Sequence, residues 1–226
     1  MSLRLVVWDI DGTIVDSRKV IQNAMTAAFE SFGLTPPEYD RTRQIVGLGL
    51  EDGCRILAPQ GMSDRDVAAL AEAYKNAFVA HRTQNPDFRE PLYDGAVELL
   101  EALANQNCLM AVATGKSRRG VEAVFGMHDL GRYFDTIWCA DDGPGKPNPF
   151  MVAESMKAVG VEPEQTVMVG DAIHDIHMGR SAGVVTHGVS WGFGEAHELA
   201  AAEAHHIHHE MDSLSDALLA FARLEP

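Results

Sequence analysis

Cysteine is scarce in this chain: Cys54, Cys108 and Cys139 are the three among 226 residues. An odd count at such wide spacing builds neither a disulfide framework nor a Cys-x-x-Cys metal clip. They read as buried free thiols in a reducing compartment. Positive charge is also short, with 18 Lys and Arg against 33 Asp and Glu, a net charge of −15. That balance excludes a general binder of nucleic acid or anionic membrane. A small anionic substrate stays admissible, because a local cation or metal overrides the global field. Long hydrophobic runs are missing too. The first apolar stretch, residues 3–8, stops at Asp9, so it makes neither a signal peptide nor a membrane span, and a cytoplasmic protein is expected. There is no internal repeat and no low-complexity tract. What is present is the mixture of an ordinary soluble globular protein, 46% hydrophobic and 23% charged. The length suits one to two domains whose core needs no metal or disulfide staple.

Short apolar runs at 3–8, 109–113, 136–140, 166–169 and 184–189 are rich in Val, Ile or Met and end near Gly, Asp or Thr. Helical stretches at 95–105, 117–125, 149–159 and 175–182 separate the later ones, with Gly160 and Gly183 as helix stops. Continuous apolar strands alternating with helices predict an α/β fold, a doubly wound parallel sheet covered on both faces. Residues 17–91 break this rhythm. Val20, Ile21, Ala24, Met25, Ala28, Phe29 and Phe32 recur at helical spacing until Gly33. Ser63 is a good N-cap for a second helix carrying Val67, Leu70, Ala71, Tyr74 and Phe78 on one face. Pro36 and Pro37 interrupt the segment, and Pro86 and Pro91 close it. The expected organisation is a catalytic core from 1–16 and 92–226 with an all-helical insert at 17–91.

Four signals fall at the carboxyl ends of predicted strands, where an open parallel sheet binds ligands. Asp9 and Asp11 stand two apart in extended chain and project to one side, with Gly12 freeing the backbone to turn around a ligand. The same pattern also suits a strand ending in an Asp-Gly turn. Thr114 and Gly115 lie where a strand runs into a helix N-terminus, which fits an anion cradle or a plain cap. Lys146 is fixed between Gly145 and Pro147, just before a helix. Asp171 and Asp175, four apart, suit one helical face and a hard cation, or a pair of acids complementing a helix dipole.

In this order the four signals resemble the haloacid dehalogenase-like hydrolase superfamily, and within it the phosphoglycolate phosphatase-like branch. The resemblance runs over nearly the whole chain. It is carried by Asp-Ile-Asp-Gly-Thr-Ile-Val-Asp-Ser at 9–17, Ala-Thr-Gly-Lys-Ser at 113–117, Gly-Lys-Pro-Asn-Pro at 145–149 and Val-Gly-Asp-Ala-Ile-His-Asp at 169–175. Ala172 departs from the threonine the family often has there, at the loss of one hydroxyl and no carboxylate. The resemblance implies a Rossmann-like core with a helical cap at 17–91, and an Mg²⁺-dependent phosphatase acting on a small phosphorylated metabolite. It makes Asp9 the nucleophile that becomes an aspartyl-phosphate and Asp11 the acid and then the base. Thr114 and Lys146, with N–H groups near Asp11, Gly12 and Gly115, would hold the phosphoryl oxygens. Asp9, the carbonyl of Asp11, and Asp171 would hold Mg²⁺, with Asp175 orienting Lys146 or a metal-bound water.

Three other functions share features with this pattern. A sugar phosphomutase of the same fold carries a His one turn into the first cap helix, where this chain has Ile21. A phospho-Asp receiver module lacks a long cap after its first strand. A dehalogenase has no need of Asp11. Specificity is expected from the insert around 41–50, with Arg43 meeting an anionic metabolite. His205, His206, His208 and His209 read as a polar edge, with a zinc site as the rarer alternative. Lys116, Arg118 and Arg119 read as a solvated helix start that could lend positive charge. The partner expected is a small metabolite, with no nucleic acid and no membrane, and the oligomeric state is open between monomer and homodimer.

Overall fold

The computed structural model describes residues 3–85 and 87–223. Pro86 and both chain ends lie outside the described residues. Among the described residues, six parallel strands form one sheet in the order β3-β2-β1-β4-β5-β6. The strands are β1 (Leu5–Trp8), β2 (Leu109–Ala113), β3 (Thr136–Trp138), β4 (Thr166–Gly170), β5 (Val185–Val189) and β6 (His206–His208). Chain order reverses on either side of β1, so a crevice opens beyond its carboxyl end.

The sheet is buried on both faces because side chains alternate along each strand. Val6 and Trp8 of β1, Met110 and Val112 of β2, and Val167 and Val169 of β4 point to one face. There they meet α5 (Ala96–Ala104), α6 (Arg118–His128) and α10 (Met211–Ala222). Leu5, Val7, Ala111, Ala113 and Met168 point to the other, against α7 (Phe150–Val159) and α8 (Ile173–Ser181). Such strands have no polar face, which is why they read as unbroken apolar runs. The helix α9 (Ala196–Ala201) packs Leu199 against Ile176.

Between β1 and α5 the chain makes α1 (Arg18–Ser31), α2 (Tyr39–Arg43), α3 (Leu50–Leu57) and α4 (Asp64–Gln84). This insert has its own core of Met25, Phe29, Ile45, Cys54, Val67 and Leu70. Ser63 caps α4, accepting from Asp66 N at 3.1 Å. The two crossings between insert and sheet run side by side: Val15 bridges Leu92 in antiparallel sense, and Asp16 N donates to Pro91 O at 2.8 Å. A second contact joins Val20, Ile21, Ala24, Val46 and Phe78 of the insert to Phe193, which follows β5. No helix among the described residues is long and apolar enough to cross a membrane.

Candidate active site

The turn after β1 places two carboxylates over the sheet. The N–H groups of Thr13, Ile14 and Val15 all turn back to Ile10 O, and Gly12 N donates to Val15 O at 2.8 Å. Gly12 sits at φ +87°, and a Cβ there would come within 2.2 Å of Asp171 Oδ2. Both the turn and the approach of Asp171 therefore require glycine. The Gly12 N–H, expected to face a phosphate, closes this turn instead.

Asp9 is 2% exposed, and its Oδ1 accepts from Lys146 Nζ at 2.6 Å. Lys146 also lies 2.6 Å from Asp175 Oδ1 and is buried. Asp175, at the start of α8, accepts from Ala172 N at 3.0 Å through its other oxygen. So one carboxylate both caps the helix and anchors the lysine. Asp171, from the carboxyl end of β4, accepts from Thr13 Oγ1 at 3.1 Å and from Phe193 N at 2.6 Å. Asp9, Asp171 and Asp175 each offer an oxygen within 4.8 Å of the others, and all three are buried.

The electrostatics of this group are lopsided. Burial raises the Asp9 pKa to about 7; the Lys146 ammonium opposes the shift, but Asp175 and Asp11 add to it. Asp171 is pushed well above the usual carboxylate range by burial and by Asp9 and Asp175. Burial disfavours the Lys146 charge, yet Asp175 and Asp9 outweigh that and hold its pKa above the ordinary lysine value. The pocket is thus short of positive charge. An all-oxygen donor set that resists its own ionisation fits a hard divalent cation such as Mg²⁺. The described residues therefore accommodate the metal expected from the sequence.

Asp11, 8% exposed, is held on both oxygens by Lys116 Nζ, at 2.8 and 3.1 Å. Lys116 is not solvated. Its side chain is 9% exposed, with Glu90 Oε2 at 3.7 Å and the Phe78 ring centroid at 5.3 Å. Burial opposes its charge, but Asp11 and Glu90 prevail and raise its pKa. Glu90 is fully buried and also pairs with Arg82 of α4. Thr114, at the end of β2, is buried and its Oγ1 accepts from Lys116 N at 3.2 Å. Ser117 is the helix cap, accepting from Gly120 N at 3.3 Å. Gly115 faces the insert: a Cβ on it would lie 2.6 Å from Gly47 O and 2.9 Å from Leu48 O.

A cavity of about 500 Å³ lies over this group, lined by Asp9, Asp11, Thr114, Gly115 and Lys116 below and by α1, α4 and residues 45–52 above. Arg43 does not line it. Its guanidinium crosses from α2 to Glu198 of α9 at 2.7 Å and to Phe193 O at 3.2 Å, and it borders a neighbouring cavity of about 450 Å³. The expectation that Arg43 meets the substrate is not matched by these partners, since its charge is engaged by Glu198 and it is not among the residues lining the cavity over Asp9. Among the described residues the three buried aspartates are the group with metal-holding geometry, and the histidine run is not part of it. Instead β6 makes the run a sheet edge: His187 Nδ1 and His208 Nε2 share a hydrogen bond of 2.9 Å, and His187 stacks on His206 at 4.8 Å.

Lys116, read from the sequence as a solvated helix start able to lend positive charge, is instead buried against Asp11. Two further contributors, Glu90 and Phe193, carry no sequence signal, being ordinary loop residues until the chain folds.

Comparison with known proteins gives a match to the family model described as haloacid dehalogenase-like hydrolase over residues 6–189. A phosphoglycolate phosphatase of Aquifex aeolicus is 30% identical over 192 residues, covering 84% of this chain and 86% of that protein. The pyrophosphatase PpaX of Halalkalibacterium halodurans is 31% identical over 82% of this chain and 83% of its own. The crystal structure of a predicted phosphatase from Clostridium acetobutylicum superposes with a TM-score of 0.85, at 23% identity, over 97% of this chain and 100% of that one.

Proposed function

This chain belongs to the haloacid dehalogenase-like hydrolases, and from that membership we propose that it hydrolyses the monophosphate ester of a small metabolite through an aspartyl-phosphate on Asp9. The observation that carries the reading is Asp9 itself: a buried carboxylate 2.6 Å from Lys146, with Asp171 and Asp175 within 4.8 Å. Relatives named for phosphoglycolate and for pyrophosphate share the phosphoryl group and little else, so the reacting phosphate is what these residues recognise in common.

In the first step an oxygen of Asp9 attacks phosphorus and the bond to the ester oxygen breaks. Asp11 delivers a proton to that departing oxygen. In the second step Asp11 takes a proton from water, the water attacks phosphorus, and the Asp9–phosphate bond breaks to release phosphate. Thr114 and Lys146 hold the phosphoryl oxygens as charge moves across them. Asp175 keeps Lys146 in place. Asp9, the Asp11 carbonyl and Asp171 would hold Mg²⁺, which when bound offsets the repulsion between the carboxylate nucleophile and an anionic ester. The insert acts as a cap that excludes water from the intermediate, swinging on the paired crossings at Val15 and Leu92. Ile21 lines the cavity and carries no titratable group, which favours hydrolysis over a mutase that needs a histidine there.

The test is phosphate release from a panel of phosphorylated metabolites by wild type and Asp9→Asn, with Mg²⁺ and after exhaustive chelation. Release by wild type with Mg²⁺ is expected, along with its loss in the variant and after chelation. An Asp9→Asn protein that keeps most of the activity defeats the mechanism.

A further inference from the structure

The cavity over Asp9 and Asp11 has a wall that phosphoryl transfer does not use. Ile21 and Met25 of α1, Ile45 and Val46 after α2, and Tyr74 and Phe78 of α4 form its apolar side. A phosphate alone does not need about 500 Å³; that size falls in the range of pockets that enclose a whole small ligand.

Three of the four lining cations are already paired. Lys116 lies on Asp11 and near Glu90, Arg82 pairs with Glu90, and Lys75 is 3.4 Å from Glu72. Arg119 is the lining cation without an ion pair among the described residues, and it is exposed at the rim. Of the six lining carboxylates, Asp9 is matched by Lys146 and Asp11 by Lys116, while Glu51, Asp52 and Glu72 are exposed. A second negative group seated on the apolar side would have to take Lys116 from Asp11; outside that, the cation left to it is Arg119, exposed at the rim. Taking Lys116 away leaves Asp11, 8% exposed, with its charge unpaired. An apolar body meets no such penalty and gains from contact.

We propose that the preferred substrate is the monophosphate ester of an uncharged alcohol with a hydrocarbon body, seated on Ile21, Val46, Leu48 and Phe78. Leaving groups that bear a carboxylate or a second phosphate are disfavoured. The Tyr74 hydroxyl makes no hydrogen bond among the described residues and half faces this space, so it is available to one neutral polar atom of the alcohol. The proposal rests on the phosphatase reading above.

The experiment compares kcat/KM, with Mg²⁺, for hexyl phosphate, 2-phenylethyl phosphate, glycerol 2-phosphate and 2-phosphoglycolate. The two hydrophobic esters are expected to exceed 2-phosphoglycolate by about tenfold or more. Ile21→Ala, and Leu48→Ala at a half-buried position of the same wall, should each lower the hydrophobic esters by about tenfold. Glycerol 2-phosphate should change by no more than about twofold, since little contact with the wall is lost. A 2-phosphoglycolate value equal to or above the hydrophobic esters overturns the proposal and leaves the phosphatase reading standing. Equal losses on every ester in both variants overturn it as well. No phosphate from any ester, in wild type or variant, overturns the phosphatase reading and the proposal with it.

Discussion

Asp9 is a carboxylate whose surroundings oppose its own charge. Burial and two neighbouring acids outweigh Lys146 and bring its pKa to about 7. Removing that charge should therefore stabilise the metal-free protein by a few kcal/mol at most, roughly the scale of a few pKa units tempered by relaxation. In chelator, Asp9→Asn should melt above wild type. Mg²⁺ should raise the wild-type Tm by linkage and the variant's by much less. Thermal melts at fixed pH with and without Mg²⁺ read both effects, and a variant that melts lower in chelator contradicts the account. His187 makes the opposite kind of residue. Burial, then His208, His206 and His205, depress its pKa to about 3. A histidine held neutral in the folded state binds its proton more tightly when unfolded. Its contribution is intact above the unfolded value near 6.5 and is lost as pH falls toward 3. At pH 5 the loss is about 2 kcal/mol relative to pH 7.5. His187→Gln should flatten that acid limb in denaturant titrations, and an unchanged limb assigns the acid sensitivity to other groups.

Among the elements, those with one dominant driving force were legible. The apolar run at 109–113 became β2 over the same residues, and Ser63 starts α4 as its side chain indicates. The short pieces were not. The helices α2 and α3, at five and eight residues, are too short for even a clear apolar face to stand out from the loops around Pro36 and Pro37. The strand β6 reads His-Ile-His and forms because β5 offers an edge to pair with, a tertiary cause with no local mark. The place of α2 explains Arg43. Its guanidinium ties α2 to α9 through Glu198 and Glu195, beside a hydrogen bond between the His174 ring and Gln44 O. Arg43→Ala should thus lower kcat/KM on every ester by a similar factor, about fivefold, the scale of one partly exposed ion pair. Measuring a charged and an uncharged ester side by side decides it. A loss confined to the charged one would return Arg43 to the substrate.

At the scale of the whole molecule, a parallel sheet with β1 near its centre gathers Asp9, Thr114 and Asp171 from strand ends 57 to 162 residues apart in the chain. These were legible because each stands directly after an apolar run. The charge chain from Asp11 through Lys116 and Glu90 to Arg82 was not, because it links the sheet, the returning crossing and α4, and no stretch of sequence contains it. The apolar roof of the cavity was hidden for the same reason, since Ile21 and Phe78 look like helix-core residues in a linear reading. One further consequence follows from Gly115, whose missing side chain lets the backbone of Gly47 and Leu48 rest against the loop after β2. The seam between insert and sheet there has no spare clearance. A single methyl group at position 115 is thicker than the gap, so it would act as a wedge, propping the two parts ajar while every catalytic carboxylate stayed in place. Such a chain could still bind an ester and yet leave the door open to solvent, which separates gripping a phosphate from shutting water out.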